Sequence, residues 1–292
     1  MINIYISMKK ISIVLFISLL GVILIMSKDT NKTVVNVLAS FTINVLPTLA
    51  PALLINNLIS FSGGISELLS KSKNSYHINI IYLIITGLIS GTPALATQVN
   101  NETNKSISLN DAQLILECFS FPSLPFIIAL VNISDWHKKY LYLAILTPLI
   151  LSILYFLYKY KQNNHLIDTS YTYKNTDNVL AKAILVTFKS IVLMSGSIML
   201  FSLFLIPLSS LIPSPYIYYV QGILEFSYPL TYLFCNFTKL NCLLVTFIIS
   251  FSSISLIMQI HLLAKKINII SIIKKRLILA ALSTLFTLIF LF

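Results

Sequence analysis

Residues 140–158 read YLYLAILTPLILSILYFLY, nineteen positions in succession without a charge. As a helix rising 1.5 Å per residue this run is ~28 Å long, close to the ~30 Å hydrocarbon core of a bilayer. Comparable apolar runs cover about 11–26, 34–60, 78–97, 112–131, 183–212, 216–234, 241–263 and 277–292. Of the 292 residues 57% are apolar and 10% charged, and mean hydropathy is +0.89, whereas soluble domains carry about 25% charged residues. A large water-soluble catalytic domain is excluded. Only seven Gly are present, and the Ile, Leu and Phe runs are unbroken, which speaks against an outer-membrane barrel with its period of two. The reading is an all-α, polytopic helical membrane protein with about seven to nine membrane segments.

The net charge is +11, and the basic residues sit at the ends of apolar runs. The cytoplasmic excess of Lys and Arg and the attraction of anionic headgroups account for them, so no nucleic-acid partner is expected. The run Ile11 to Met26 follows Lys9-Lys10 but leaves through Ser27-Lys28-Asp29-Thr30, without the small-x-small pattern of signal cleavage; it reads as a retained first span. Two runs are irregular. In 112–131 the stretch Ser120-Phe121-Pro122-Ser123-Leu124-Pro125 interrupts a helix, and a re-entrant hairpin is expected. The run 216–234 holds five Tyr with Gln221, Glu225 and Pro229, the content of an interfacial or broken helix.

With both irregular runs entering and leaving on one side, Lys9, Lys10, Lys71, Lys73, the 159–182 linker and Lys265 to Arg276 fall in the cytoplasm. Lys28, Lys32, Lys105, Lys138, Lys139 and Lys239 fall outside, a bias of about two to one. The polar linker 159–182 divides the chain after a first span and loop (1–33), giving halves 34–158 and 183–292. Each half opens with a long run and contains a run ending in Gln: Thr86 to Gln98, rich in small and hydroxyl residues, and Ile249 to Gln259, rich in Ser. Under this topology the opening runs cross in opposite directions, so the halves read as inverted repeats. Secondary transporters use such pairs to form a midplane site from broken helices.

The elements Leu46-Pro47-Thr48-Leu49-Ala50-Pro51-Ala52, Gly87-Leu88-Ile89-Ser90-Gly91-Thr92-Pro93-Ala94, Phe121 to Ile128, Gly222-Ile223-Leu224-Glu225 and the Ser-rich run ending in Gln259 occur in an order that resembles the YlbJ-type sporulation integral membrane proteins. These belong to the nucleoside-recognition, or Gate-domain, group, and the resemblance runs from about Val34 to the C-terminus. It implies a transport-like fold of two Gate-like repeats and a role in spore formation. The chain departs from that pattern where Thr92 stands for a Tyr and Thr97 lies near the place of a Lys. Ser120 to Leu124 replaces an Asn-Asn-Ala-Ser-Pro turn, and Ser250 to Ser253 replaces Gly-Trp-Gly-Gly.

No HExxH, GxSxG, Walker A or GxGxxG occurs, and His77, His137, His165 and His261 lack metal-ligand spacing, so neither an enzyme nor a cofactor or metal site is expected. Cys118, Cys235 and Cys242 read as inert core residues. Glu117 and Glu225 are carboxylates within apolar runs, by default functional unless they lie at a headgroup boundary. Ser108-Leu109-Asn110-Asp111 is a capping pattern. The break Ser90-Gly91-Thr92-Pro93 offers hydroxyls and freed carbonyls, or a small-residue packing notch. Gln98 and Gln259 occupy corresponding places in the two repeats and suit either a polar solute such as a nucleobase edge or interhelical bonding. The candidate substrate-binding set is Ser90, Thr92, Gln98, Glu117, Ser123, Glu225, Ser255 and Gln259. The expected partners are the lipid bilayer, a small polar solute with a coupling ion, and further copies in a homo-oligomer. The expected location is the cytoplasmic membrane. A transporter-like factor in sporulation and a non-transporting scaffold for spore-envelope assembly both remain open.

Overall fold

A computed structural model describes residues 41–62, 75–103, 106–162, 178–213 and 216–291, with isolated positions between 21 and 39. The expected first span, the interior of the 159–182 linker and the loop positions of Lys71, Lys73 and Lys105 lie outside the described residues. Every regular element described is helical, and no strand occurs among the described residues. A π-helical turn, Phe41–Val45, leads into α1 (Leu46–Phe61). Then follow α2 (Ser75–Ser90), α3 (Thr92–Glu102), α4 (Leu109–Phe119), α5 (Leu124–Asn132) and α6 (Lys138–Tyr160). After the linker come α7 (Val179–Leu211), α8 (Tyr216–Leu224), α9 (Ser227–Cys235), α10 (Lys239–Phe251), α11 (Ser253–Leu263) and α12 (Ile269–Leu291). Four stretches, Leu109–Asn132, Lys138–Tyr160, Val179–Phe204 and Lys239–Leu263, are long and apolar enough to cross a membrane. Their outward faces carry exposed Ile, Leu and Phe, such as Leu154, Leu157, Leu185 and Phe188.

Side-chain bonds order the helices between two ends of a bundle. At one end, here the linker end, Gln113 on α4 bonds both the carbonyl and the amide of Asn268 just before α12. There too Tyr76 of α2 bonds Asp111 of α4, and His77 Nδ1 lies 2.6 Å from Tyr160 Oη at the close of α6. At the far end the Trp136 indole donates to Leu233 O at 3.2 Å, Cys242 Sγ lies 3.8 Å from Tyr140 O, and Tyr219 Oη donates to Asn241 Oδ1 at 3.3 Å. Helix α6 therefore runs toward the linker end and α12 away from it. Helices α1 and α7 are also antiparallel: Asn57 bonds Thr187, and Lys182 stands 4.6 Å from the Phe61 ring centroid.

These directions revise one expectation. The pair α4–α5 starts at the linker end and finishes beside α6 at the far end, so 109–132 traverses the bundle with a break in the middle and is not a re-entrant hairpin. The hairpin is instead α2–α3, which returns to the linker end, where Asn79 near its start bonds Ser106 beyond its close at 2.8 Å. The physical reason is burial. The second limb α3 packs back on α2 and covers it with Leu95, Ala96 and Val99, all fully buried, whereas α5 buries Phe126, Ile127 and Leu130 among the far-end helices. The pair α8–α9 folds back as the Tyr-rich sequence suggested, with Tyr218 stacked on Tyr232 at 3.9 Å. In the order of elements, Gln98 closes a hairpin while Gln259 closes a traversing helix, so the two Gln do not hold equivalent places.

The buried apolar residues form two clusters, one toward the far end around Trp136, Leu233 and Val245, the other toward the linker end around Ile80, Ile115, Phe156 and Ile272. Buried polar side chains, among them Thr92, Ser120, Ser252 and Arg276, lie where the helices are interrupted. Ser108 caps α4 as its sequence indicates, accepting from the Asp111 amide at 3.0 Å.

Candidate functional site

The four helix interruptions converge. At the α2–α3 tip, Gly91 has φ +79 and packs on the α4–α5 break: a Cβ there would lie 3.2 Å from Ser123 Cβ and 3.3 Å from Ser123 N. Only glycine meets both demands without strain. Thr92 begins α3 and donates to Phe121 O at 3.0 Å, which ties the hairpin tip to the same break. Between α4 and α5, Pro122 offers no N–H, so the chain cannot continue the helix through Ser120 to Ser123. Helix α10 ends at Ser252, which with Ser253 adopts φ 70 and 54, left-handed values costly for residues bearing a Cβ. Ser252 Oγ donates to Ser120 O across the bundle, holding the two traversing breaks together. The fourth interruption is Glu225-Phe226 at the α8–α9 tip, with the Phe226 ring edge-on to Phe126 at 5.4 Å.

A cavity of about 30 Å³ lies at this meeting point. Gly91, Thr92, Ser123 and Phe226 border it from three of the interruptions, and Gln259 borders it from within α11, nearly two turns past the fourth. Gln259 Nε2 donates to Ser197 Oγ at 2.9 Å, while its Oε1 is buried without a partner and so presents an acceptor. The other walls, including Phe121, Phe126, Met194 and Leu256, are apolar. A few polar groups among apolar walls is the usual make-up of a small-molecule site. A cavity of this size admits only a few waters, so a larger solute fits only when the hairpin tips draw away from the breaks.

Arg276 on α12 braces this layer from behind and is fully buried. Its Nη1 donates to Cys118 O at 3.3 Å, and its Nη2 donates to Ser120 O and Ser252 Oγ. The guanidinium carbon stands 4.3 Å from the centroid of the Phe121 ring, a cation–π contact with a wall of the cavity. Its charge faces the C-terminal carbonyls of α4, the negative end of that helix, and its Nε has no partner. Arg276 therefore does not belong with the cytoplasmic loop charges, as its place after Lys274 and Lys275 had suggested. A periodic signal was available: Ile272, Arg276, Leu279, Ala280, Ser283 and Thr287 form one buried stripe, so Arg276 shares a helix face with small polar core residues.

The candidate residues separate into groups. Thr92, Ser123 and Gln259 border the cavity. Ser90 precedes Gly91 and donates to Ala52 O at 3.2 Å. Ser255 pairs with Ser253 at 3.1 Å behind the α10–α11 break. Glu225 is fully buried one residue from Phe226, but its Oε1 accepts from Ser227 N at 2.9 Å and Ser227 Oγ at 2.6 Å, leaving Oε2 unpartnered. Gln98 points away, accepting from Ser60 at 2.7 Å and reaching Asn57 at 3.5 Å. Glu117 belongs to a different place, near the linker end, where its Oε1 accepts from Gln113 and Ser271. The aromatic walls Phe121 and Phe226 were not singled out by sequence, because aromatic residues in apolar runs carry no distinguishing pattern. Among the described residues no group of His, Cys, Asp and Glu could hold a metal ion. In comparisons with known proteins, no family model, no curated protein and no solved structure matches this chain.

Proposed function

We propose that this chain is a multi-pass protein of the cytoplasmic membrane built from two inverted Gate-like repeats, α1–α6 and α7–α12, and that it binds and moves a small polar solute at the centre. Each half then has the same order: a long helix, a hairpin, a broken traversing helix and a straight helix. Opposite directions of α1 and α7, and of α6 and α12, support the inversion. The observation that carries the reading is that three interruptions border one cavity and the fourth, at Ser252, bonds to one of them, since discontinuous helices facing a midplane site are how transporters expose backbone groups to a solute. Ser123 and the free Gln259 oxygen are the groups we assign to solute contact, with Thr92 holding the tip against the break. The resemblance of Gly87 to Pro93 and its flanking elements to YlbJ-type proteins supports a setting in spore formation and a nucleoside-like solute.

A second reading, a non-transporting scaffold in spore-envelope assembly, draws support from the apolar walls and the small volume of the cavity. The two are separated by testing nucleosides, amino acids and small carboxylates for thermal stabilisation of the purified protein, then measuring counterflow of any stabilising solute in proteoliposomes. Gln259→Leu, which removes the free acceptor at nearly constant volume, should abolish both stabilisation and counterflow while the protein still folds. Counterflow undiminished in that variant would remove the solute from this cavity, and no stabilisation or counterflow by any solute would put the scaffold reading first.

A further inference from the structure

At the linker end, well apart from the central cavity, α4, α6 and α12 frame an open pocket of about 220 Å³. Lys159 and Lys275 stand on its walls with Tyr155, facing Asn110, Gln113 and Glu117. The Lys275 ammonium is 6.0 Å from the Tyr155 ring centroid, and Lys159 Nζ donates to the neutral Gln162 at 3.2 Å. Neither lysine is ion-paired with a carboxylate of the described residues. Glu117 spends one oxygen on Gln113 and Ser271, at 2.9 and 2.6 Å, so the pocket holds two cations against one anion. Directly beside these lysines the surface turns apolar: Leu154 and Tyr158 on α6 are 56% and 61% exposed, and Ile278, one turn after Lys275, is 53% exposed.

We propose that this pocket binds the headgroup of an anionic phospholipid. The phosphodiester sits between Lys159 and Lys275, and the acyl chains lie along Leu154, Tyr158 and Ile278. A basic recess between membrane helices on the cytoplasmic side, bordered by lipid-facing apolar surface, is the arrangement that selects acidic headgroups. The tyrosines at 155, 158 and 160 place this level at the interface, where aromatic rings with polar tips settle. The free Glu117 oxygen and Asn110 can take up hydroxyls of a glycerol headgroup, and they disfavour a small, densely charged anion. The recognition chemistry is thus a phosphodiester carrying a hydroxylated headgroup and attached chains.

The test titrates the delipidated full chain in detergent with phosphatidylglycerol, phosphatidylcholine or inorganic phosphate, reading the thermal unfolding midpoint. Phosphatidylglycerol should raise the midpoint saturably, and phosphatidylcholine and phosphate should not. In the double variant Lys159→Gln, Lys275→Gln the half-saturating lipid concentration should rise about 30-fold, taking the ~1 kcal/mol that each basic residue gains near an anionic surface. Lys138→Gln, Lys139→Gln at the far end should leave it unchanged. Equal stabilisation by phosphatidylcholine, full stabilisation by phosphate alone, or an unaltered titration in the double variant with a normal starting midpoint would each overturn the proposal.

Discussion

Replacing Arg276 with methionine removes the charge while keeping much of the side-chain volume. The loss can be worked from its contacts. Three bonds, to Cys118 O at 3.3 Å and to Ser120 O and Ser252 Oγ, are charge-assisted, and taken at the low end of their range they amount to about 5 kcal/mol. The Phe121 face at 4.3 Å adds about 1 kcal/mol. Against this, a cation at a helix centre costs about 3 kcal/mol on insertion scales, which the methionine recovers. The net expectation is a destabilisation of about 3 kcal/mol, or a fall of about 5 °C in the unfolding midpoint of a chain of this length. Arg276→Lys should be no better than methionine, because it keeps the buried charge but a single ammonium cannot reproduce the planar fork that reaches both breaks. Differential scanning of both purified variants in one detergent provides the measurement. A methionine variant as stable as the wild type, or more so, would refute the assignment of Arg276 as the brace between the two traversing breaks.

Gly91→Ala should lower stability by about 1–2 kcal/mol through its positive φ, and a crystal or cryo-EM comparison should find Ser123 displaced. A Cβ on Gly222 would lie 2.3 Å from Ile248 Cδ1, so Gly222→Ala should cost about 1–3 kcal/mol by overpacking. Ile248→Ala in the same chain should recover most of that loss in a double-mutant cycle. Glu225→Gln keeps an acceptor for the Ser227 amide and hydroxyl while removing a buried charge with one unpartnered oxygen. Its unfolding midpoint should therefore hold or rise, and a fall of several degrees would mean that the charge is compensated. In a background without native cysteines, single cysteines at Gln162 and Phe237 should react with an impermeant reagent from opposite faces of the membrane, and labelling of both from one face would overturn the two-ended order of helices.

Local chemistry settled much before any tertiary contact was considered. Runs such as 140–158 are apolar all along, and in lipid their backbone can be satisfied only within a helix, so the all-helical character follows from composition. Gly91, Pro122 and Pro125 mark interruptions because φ freedom and a missing N–H are properties of the residue itself. The capping of α4 by Ser108 depends on atoms three positions apart, and its sequence pattern suffices. Which way the chain goes after a break is another matter. That α2–α3 returns while α4–α5 traverses depends on where Leu95 and Val99, or Phe126 and Leu130, find partners far away in sequence. The same holds for the site. Thr92, Ser123 and Gln259 meet only because three separate elements pack tip to break, while Glu117, apparently equivalent to Glu225 as a carboxylate in an apolar run, is carried to the linker end. Arg276 directly follows Lys274, which is exposed, and Lys275, which lines the linker-end pocket, and only the buried stripe on its face of α12 sets it apart. Its burial is decided by α12 turning that one side against the opened carbonyls of α4, the place in this apolar bundle where a guanidinium can be solvated by protein.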